Sequence, residues 1–257
     1  MAQAGHERHA ARVALITGAS RGLGLALARL LARRGFALIL TARGADALEV
    51  AAAELRGLTE VVALAGDVAE PAHAERLVRQ GLERFGRIDV LVNNASTIGP
   101  TPMPLLERYP LEALDEVFRV NVIAPLRLAQ LVLLAMRRRG DGVIVNVTSD
   151  AAVSAYPGWG GYGASKAALE HLSRVLAAEL EGSGVRVYVV DPGDMNTQMH
   201  REAEPGADLS HLPQPEAVAP ALAQLIERET APFGRFDARA ILARELTPGA
   251  AIPGERP

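Results

Sequence analysis

Cysteine is absent from all 257 residues, which excludes disulfides, thiolate nucleophiles and cysteine-held metals. No metal site is expected. Aromatic residues are scarce, at 4 % with a single tryptophan, so a core must be assembled mainly from Ala, Leu and Val within an apolar content of 49 %. Neither sign of charge dominates. The net charge is −3 with both signs scattered, which argues against nucleic acid or an anionic membrane as partner. No uninterrupted apolar run reaches the roughly 18–20 residues of a membrane span. The first eleven residues, MAQAGHERHAA, lack the apolar centre of a signal peptide. Internal repeats are missing too. The expectation is a cytoplasmic protein without a membrane segment.

What the chain does have is alternation. Apolar, β-rich runs at 12–18, 36–42, 60–67, 88–95, 142–149 and 184–193 read as strands, with a short seventh at 234–238. Helical stretches fall between them, at 22–34, 44–57, 71–86, 111–138, 160–182 and 215–229. Short buried strands separated by helices imply βαβ units. The expected fold is α/β: a doubly wound parallel sheet of about seven strands flanked by helices, in three αβα layers. No linker-like composition interrupts 12–238, which reads as one domain. A flexible tail, 1–11, precedes it. An extension, 239–257, carries no usable motif, and its end, TPGAAIPGERP, is expected to be disordered.

The stretch VALITGASRGLG places three glycines, Gly18, Gly22 and Gly24, where the first strand should hand over to the first helix. Glycines there let backbone approach a ligand, and a helix N-terminus offers unpaired amides that suit a pyrophosphate. The spacing is G-x-x-x-G-x-G. The second strand ends in Ala42 and Arg43, where an NAD-preferring site usually carries an acid for the ribose 2′-OH. Arg43 and Arg21 without a carboxylate suit a 2′-phosphate, so NADP(H) is expected over NAD(H).

Tyr162 and Lys166 are four residues apart and share a helix face. An ammonium beside a phenol should lower the phenol's pKa by roughly 1–3 units, giving an acid/base for near-neutral pH. Ser149 ends the preceding strand, at the sheet edge where ligands bind, and can stand beside Tyr162. Pro125, four residues after Asn121, lacks an N–H and frees the Asn121 carbonyl to accept from a water.

Taken in order, TGASRGLG at 17–24, Asp67 with Val68, NNAS at 93–96, Asn121, Ser149, Tyr162 with Lys166 and PGDMNT at 192–197 resemble the short-chain dehydrogenase/reductase family. The likeness is to its compact single-domain branch and covers residues 12–238. It implies a Rossmann-like fold and a nicotinamide-dependent oxidoreductase. Gly18, Ser20, Arg21, Gly22, Leu23 and Gly24 would cradle the cofactor, and Asp67 and Val68 would meet the adenine. Asn94 and Ala95 would line the adenosine side. Pro192, Gly193, Met195 and Thr197 would hold the nicotinamide end. Tyr162 would exchange the proton, Lys166 would bind the nicotinamide ribose, Ser149 would orient the reacting oxygen, and Asn121 would hold a relay water. Two positions depart from the family's pattern. Ser96 replaces the glycine of NNAG, which would alter that loop if its backbone needs positive φ. Met195 replaces a β-branched residue.

The resemblance implies hydride transfer with a small-molecule carbonyl or alcohol, most simply carbonyl reduction with NADPH. An epimerase or dehydratase that retains its nicotinamide, or a non-catalytic NADP-binding sensor, are the alternatives. Segment 194–214 should form a flap, with Met195, Met199, Leu209 and Leu212 as apolar lining. His200 and Arg201 could meet an anion or simply be solvated. Trp159 could be a pocket wall or a subunit contact. The helices at 117–136 and 164–180 are apolar on more than one face, which suggests a homodimer or homotetramer.

Overall fold

The structure, a computed structural model, describes residues 11–245. Seven strands form one parallel sheet: β1 (Val13–Thr17), β2 (Ala37–Ala42), β3 (Val61–Ala65), β4 (Val90–Asn93), β5 (Gly142–Val147), β6 (Val185–Asp191) and β7 (Phe233–Asp237). Their order across the sheet is β3-β2-β1-β4-β5-β6-β7. Strands such as VALIT and GVIVNV are buried at every position, which explains why their apolar residues run without alternation.

Nine helices connect or follow the strands among the described residues: α1 (Gly22–Arg33), α2 (Ala45–Arg56), α3 (Pro71–Phe85), α4 (Leu111–Phe118), α5 (Ala124–Arg139), α6 (Gly160–Glu179), α7 (Gln198–Ala203), α8 (Pro215–Arg228) and α9 (Ala238–Glu245). One apolar core joins α1 and α8 to their face of the sheet through Leu23, Leu27, Leu31, Leu222 and Ile226. A second core on the other face joins α3, α5 and α6 through Leu77, Leu128, Val132 and Ala177. This is the expected Rossmann-like, doubly wound arrangement. Strand order reverses between β1 and β4, and ligands of such sheets bind at the carboxyl ends beside that reversal. The register aligns Thr17 with Thr41 and Asn93 with Asn146, so the strand ends open on one crevice.

The expected helix over 111–138 is not continuous. Between α4 and α5 the chain makes a π-helical turn, Arg119–Ile123, where the Ala124 amide donates back to the Arg119 carbonyl. Pro125 cannot donate, and the widened turn accommodates the gap in the hydrogen-bond ladder. Taken together, Leu111–Arg139 is long and apolar enough to cross a membrane, with mean hydropathy 1.6 over its most apolar window, although half of that window is buried inside the protein. Leu128, Val132 and Met136 spend that hydrophobicity on the second core. The extension beyond 238 continues as α9, with Ile241 buried against the first core. The stretch 247–257 and the tail 1–10 lie outside the described residues.

Candidate active site

A cleft of about 750 Å³ runs along the carboxyl edge of the sheet, from the glycine turn past Asp67 to Tyr162. At its first end, Gly18 has φ +65° and Gly22 φ +57°, backbone that favours glycine. Gly24 is required for a different reason. A Cβ there would lie 2.5 Å from the Gly18 carbonyl oxygen and 2.6 Å from Asn94 Nδ2. The α1 N-terminus has no side-chain cap and no acidic residue in its first turn. Its amides and the positive dipole end therefore face the cleft unneutralised, as a pyrophosphate needs. The residues present fit a dinucleotide. Ser20 and Leu23 line this end.

Thr17 organises the turn, a role that the sequence reading missed although this residue opens TGASRGLG. Its hydroxyl accepts from the Asn94 amide (3.0 Å) and the Ala95 amide (2.9 Å). Asn94 Nδ2 returns the contact by donating to the carbonyls of Thr17 (2.9 Å) and Gly18 (3.2 Å). Asn94 and Ala95 thus spend their polar groups on holding the turn, while remaining part of the cleft wall. Asp67 Oδ1 accepts from the Ala69 amide at 2.9 Å, with Val68 buried beside it.

The two arginines part company. Arg21 does not wait in the glycine loop, because its guanidinium reaches Gln198 on α7 and ties the loop to the flap. Arg43 stands exposed at the end of β2, on the cleft wall. A third arginine at the wall, Arg29, is already paired with Glu54 at 2.8 Å and Glu216 at 3.4 Å.

The far end of the cleft is built from side chains. Ser149 follows β5; its hydroxyl donates to Asp150 Oδ1 at 2.9 Å and accepts from the Ala151 amide at 3.2 Å. Tyr162 and Lys166 share one face of α6, with Lys166 Nζ 5.4 Å from the Tyr162 ring centroid. Lys166 is only 2 % exposed and donates to the Val147 carbonyl at 2.8 Å. Burial pushes its pKa down to about 8, opposed by the Glu170 carboxylate one turn along. Glu170 is itself held by the Thr148 hydroxyl (2.7 Å) and Arg235 Nε (3.1 Å). Arg235 Nη2 also lies 3.7 Å from Asp191, whose carboxyl burial raises. Glu170 was legible as i+4 from Lys166. Arg235, on β7, was not, since nothing in local spacing ties it to α6.

The expectation of a lowered Tyr162 pKa is corrected here. Burial raises it, Asp191 and Asp150 raise it further, and the Ser149 and Ser96 hydroxyls oppose them as hydrogen-bond partners. The cause is plain in the geometry: Lys166 points its ammonium at a backbone carbonyl, and desolvation of the phenol prevails.

Asn121 sits in the π-helical turn and is 1 % exposed. Its Oδ1 accepts from the Thr97 amide (2.9 Å) and the Ser96 hydroxyl (3.0 Å), and its Nδ2 donates to the Thr97 carbonyl (2.8 Å) and Ser165 Oγ (2.9 Å). The side chain is a clamp on the loop after β4. Ser96 needs no positive φ, since no described residue other than glycine adopts one. The substitution for glycine therefore leaves the loop backbone unstrained.

On the flap side, Pro192 and Gly193 line the cleft, and Met195 packs on the first core. Thr197 caps α7 by accepting from the His200 amide at 3.2 Å. Trp159 stacks edge-on to Tyr162, with centroids 5.7 Å apart, and Met199 joins them with Ile98 and Ala151 in one apolar cluster. Trp159 is thus a pocket wall in this chain. Leu209 is buried and Leu212 half-buried. His200 lies 3.9 Å from Asp194 and 3.6 Å from Glu204, while Arg201 reaches Asn196.

The fold and this constellation define a nicotinamide-dependent oxidoreductase that acts on hydroxyl or carbonyl groups of small molecules. The short chain dehydrogenase profile matches residues 12–208, and the chain belongs to that family. It is 36 % identical over 220 residues to the 2-(R)-hydroxypropyl-CoM dehydrogenase of Xanthobacter autotrophicus, covering 85 % of each chain. It is 39 % identical over 191 residues to the 1-deoxy-11-beta-hydroxypentalenate dehydrogenase of Streptomyces exfoliatus, covering 73 % of this chain and 69 % of that one. An alcohol dehydrogenase from Thermococcus sibiricus, solved with 5-hydroxy-NADP, superposes with a TM-score of 0.79 at 33 % identity, covering 88 % of this chain and 95 % of that one.

Proposed function

We propose that this enzyme is an NADPH-dependent carbonyl reductase in which Ser149, Tyr162 and Lys166 carry the proton chemistry. The reading rests on one observation: these three side chains converge at one end of a cleft whose other end is the glycine turn. Gly18, Gly22 and Gly24 would hold the pyrophosphate, Asp67 and Val68 the adenine, and Pro192, Gly193, Met195 and Thr197 the nicotinamide end. A bound nicotinamide supplies hydride to the carbonyl carbon. As negative charge develops on the substrate oxygen, Tyr162 Oη donates its proton there and Ser149 Oγ donates a hydrogen bond to the same atom. Lys166, still charged at neutral pH and held by the Val147 carbonyl, would bind the nicotinamide ribose beside the phenol. The Trp159, Met199 and Ile98 cluster excludes water from the pocket, strengthening these contacts.

NADP(H) preference rests on Arg43. The strand β2 ends Ala42-Arg43 with no carboxylate, and Arg43 is open to a 2′-phosphate. The Thermococcus sibiricus relative, solved with an NADP derivative, fits this reading. Titration of nicotinamide fluorescence with NADPH and NADH, on wild type and Arg43→Ala, tests it. NADPH should bind at least about tenfold more tightly, as one lost charge-assisted pair implies, and Arg43→Ala should remove the gap. Equal binding of NADH to wild type would refute the preference. A carbonyl panel then reads the reaction: stoichiometric NADPH consumption supports a reductase, conversion without consumption an epimerase, and binding alone a sensor.

Leu134 on α5 and Val175 on α6 are exposed. We assign these helix faces to contacts in a cytoplasmic homodimer or homotetramer. A monomeric mass in sedimentation would overturn that assignment.

A further inference from the structure

We infer that Arg235 is a positioning residue: from β7 it ties the helix that carries Tyr162 and Lys166 to the loop that would hold the nicotinamide. Its role rests on the reaction proposed above and adds what keeps the two reacting ends at a fixed spacing.

Two separate pieces of chain must meet at one carbonyl. Tyr162 and Lys166 ride on α6, while Pro192 and Gly193 leave the end of β6. Proton and hydride reach neighbouring atoms only while α6 and that loop hold their distance. A misplacement of about 1 Å can cost on the order of a hundredfold in rate.

Arg235 touches both pieces. The sheet register pairs it with Val189, and Asp191 lies two residues further along β6, so Arg235 and Asp191 point to the same face of the sheet. That is the face of Val187 and Phe233 in the second core, which α6 covers. On the helix side, Arg235 Nε lies 3.1 Å from each oxygen of Glu170, one turn after Lys166. On the loop side, its Nη2 lies 3.7 Å from Asp191 Oδ2. The other Asp191 oxygen, Oδ1, accepts from the Gly193 amide at 2.9 Å and so fastens the first turn of the loop. A rigid, planar guanidinium can serve two carboxylates through different nitrogens.

No other side-chain hydrogen bond or ion pair joins α6 to residues 185–197 among the described residues. Lys166 and Ser173 bind β5 instead, through the Val147 carbonyl and Asn146. Glu170 also accepts from the Thr148 hydroxyl at 2.7 Å, which fixes its carboxylate in place for the arginine. Glu170 and Asp191 are both buried, and buried carboxylates are costly without a cation that faces them. Arg235 faces both. Its Nη2 is buried without a hydrogen bond, so Asp191 is the charged group it answers to.

Arg235→Lys tests this, because it keeps the charge and removes the fork. A lysine nitrogen can pair with Glu170 and cannot also reach along the loop arm. Three readings are taken on the full chain: thermal unfolding, fluorescence of bound NADPH, and the single-turnover rate of NADPH oxidation by a carbonyl that wild type reduces. NADPH affinity should stay within about threefold of wild type, since the glycine turn is untouched. The lifetime of the bound nicotinamide fluorescence should shorten toward that of free NADPH, and the hydride step should slow by roughly ten- to hundredfold. A variant with wild-type lifetime and wild-type hydride rate would overturn the assignment, whatever its unfolding temperature, since a purely structural arginine would move only the latter. Glu170→Gln, which keeps an acceptor for Thr148 and drops the charge on the helix arm, decides by the same readings if Arg235→Lys does not fold. The lifetime needs no turnover: a shortened lifetime in a protein that reduces no carbonyl would uphold the tie and refute the reductase reading. Wild type that binds no NADPH would overturn both.

Discussion

The two ends of the cleft are built on opposite principles. At the glycine turn, recognition is made of backbone: unpaired α1 amides, two glycines in the left-handed region and one glycine against a carbonyl. Side chains there, Thr17 and Asn94, serve to hold main chain in place. At the Tyr162 end, backbone serves to hold side chains. The Val147 carbonyl fixes Lys166, and a buried set of Thr148, Glu170, Arg235 and Asp191 stands beneath it. The first end works by shape and is sensitive to volume. The second works by charge in a dry setting, where burial changes acid strength.

The comparison breaks most visibly at Tyr162. Tyr162→Phe keeps the ring and removes the proton, so turnover should fall by about 10²–10⁴-fold while NADPH affinity stays near wild type. Absorbance at the nicotinamide band and fluorescence titration read the two separately; a parallel loss of binding would mean the ends are not separable. Gly24→Ala tests the shape end. Forcing a methyl against the Gly18 carbonyl costs about 1–3 kcal/mol, or roughly five- to hundredfold in NADPH affinity. The Tyr162 end should remain intact, as judged by turnover at saturating NADPH, and thermal unfolding controls for folding.

The smallest effect concerns stability. Lys166 has a pKa of about 8 in the folded chain against an ordinary value of 10.5. Between those values the unfolded chain holds a proton that the native chain has released, so this group makes stability rise with pH across that window. Below about pH 8 both states are protonated and its unfavourable contribution is constant. Wild type should therefore gain stability relative to Lys166→Met between about pH 8 and about pH 10, read from urea midpoints. A constant difference would show that Lys166 is not charged and desolvated as the geometry implies.

Much of this protein was legible in the chain itself. Uninterrupted apolar strands alternating with helices determined the parallel sheet, because strands covered on both faces have no polar side to alternate. Glycine spacing marked the turn, because only glycine tolerates that backbone and that approach. Tyr162 and Lys166 could be paired from a four-residue interval, because a helix places such residues on one face. Tertiary structure alone decided the rest. It carried Arg21 to Gln198, leaving Arg43 as the open arginine, and set Arg235 under α6 across 65 residues from Glu170. It also reversed the expected direction of the Tyr162 pKa, since desolvation depends on what packs around a phenol and not on which residue follows it. It gave Ser96, a departure from the family's glycine, a place against Asn121 that no spacing along the chain encodes.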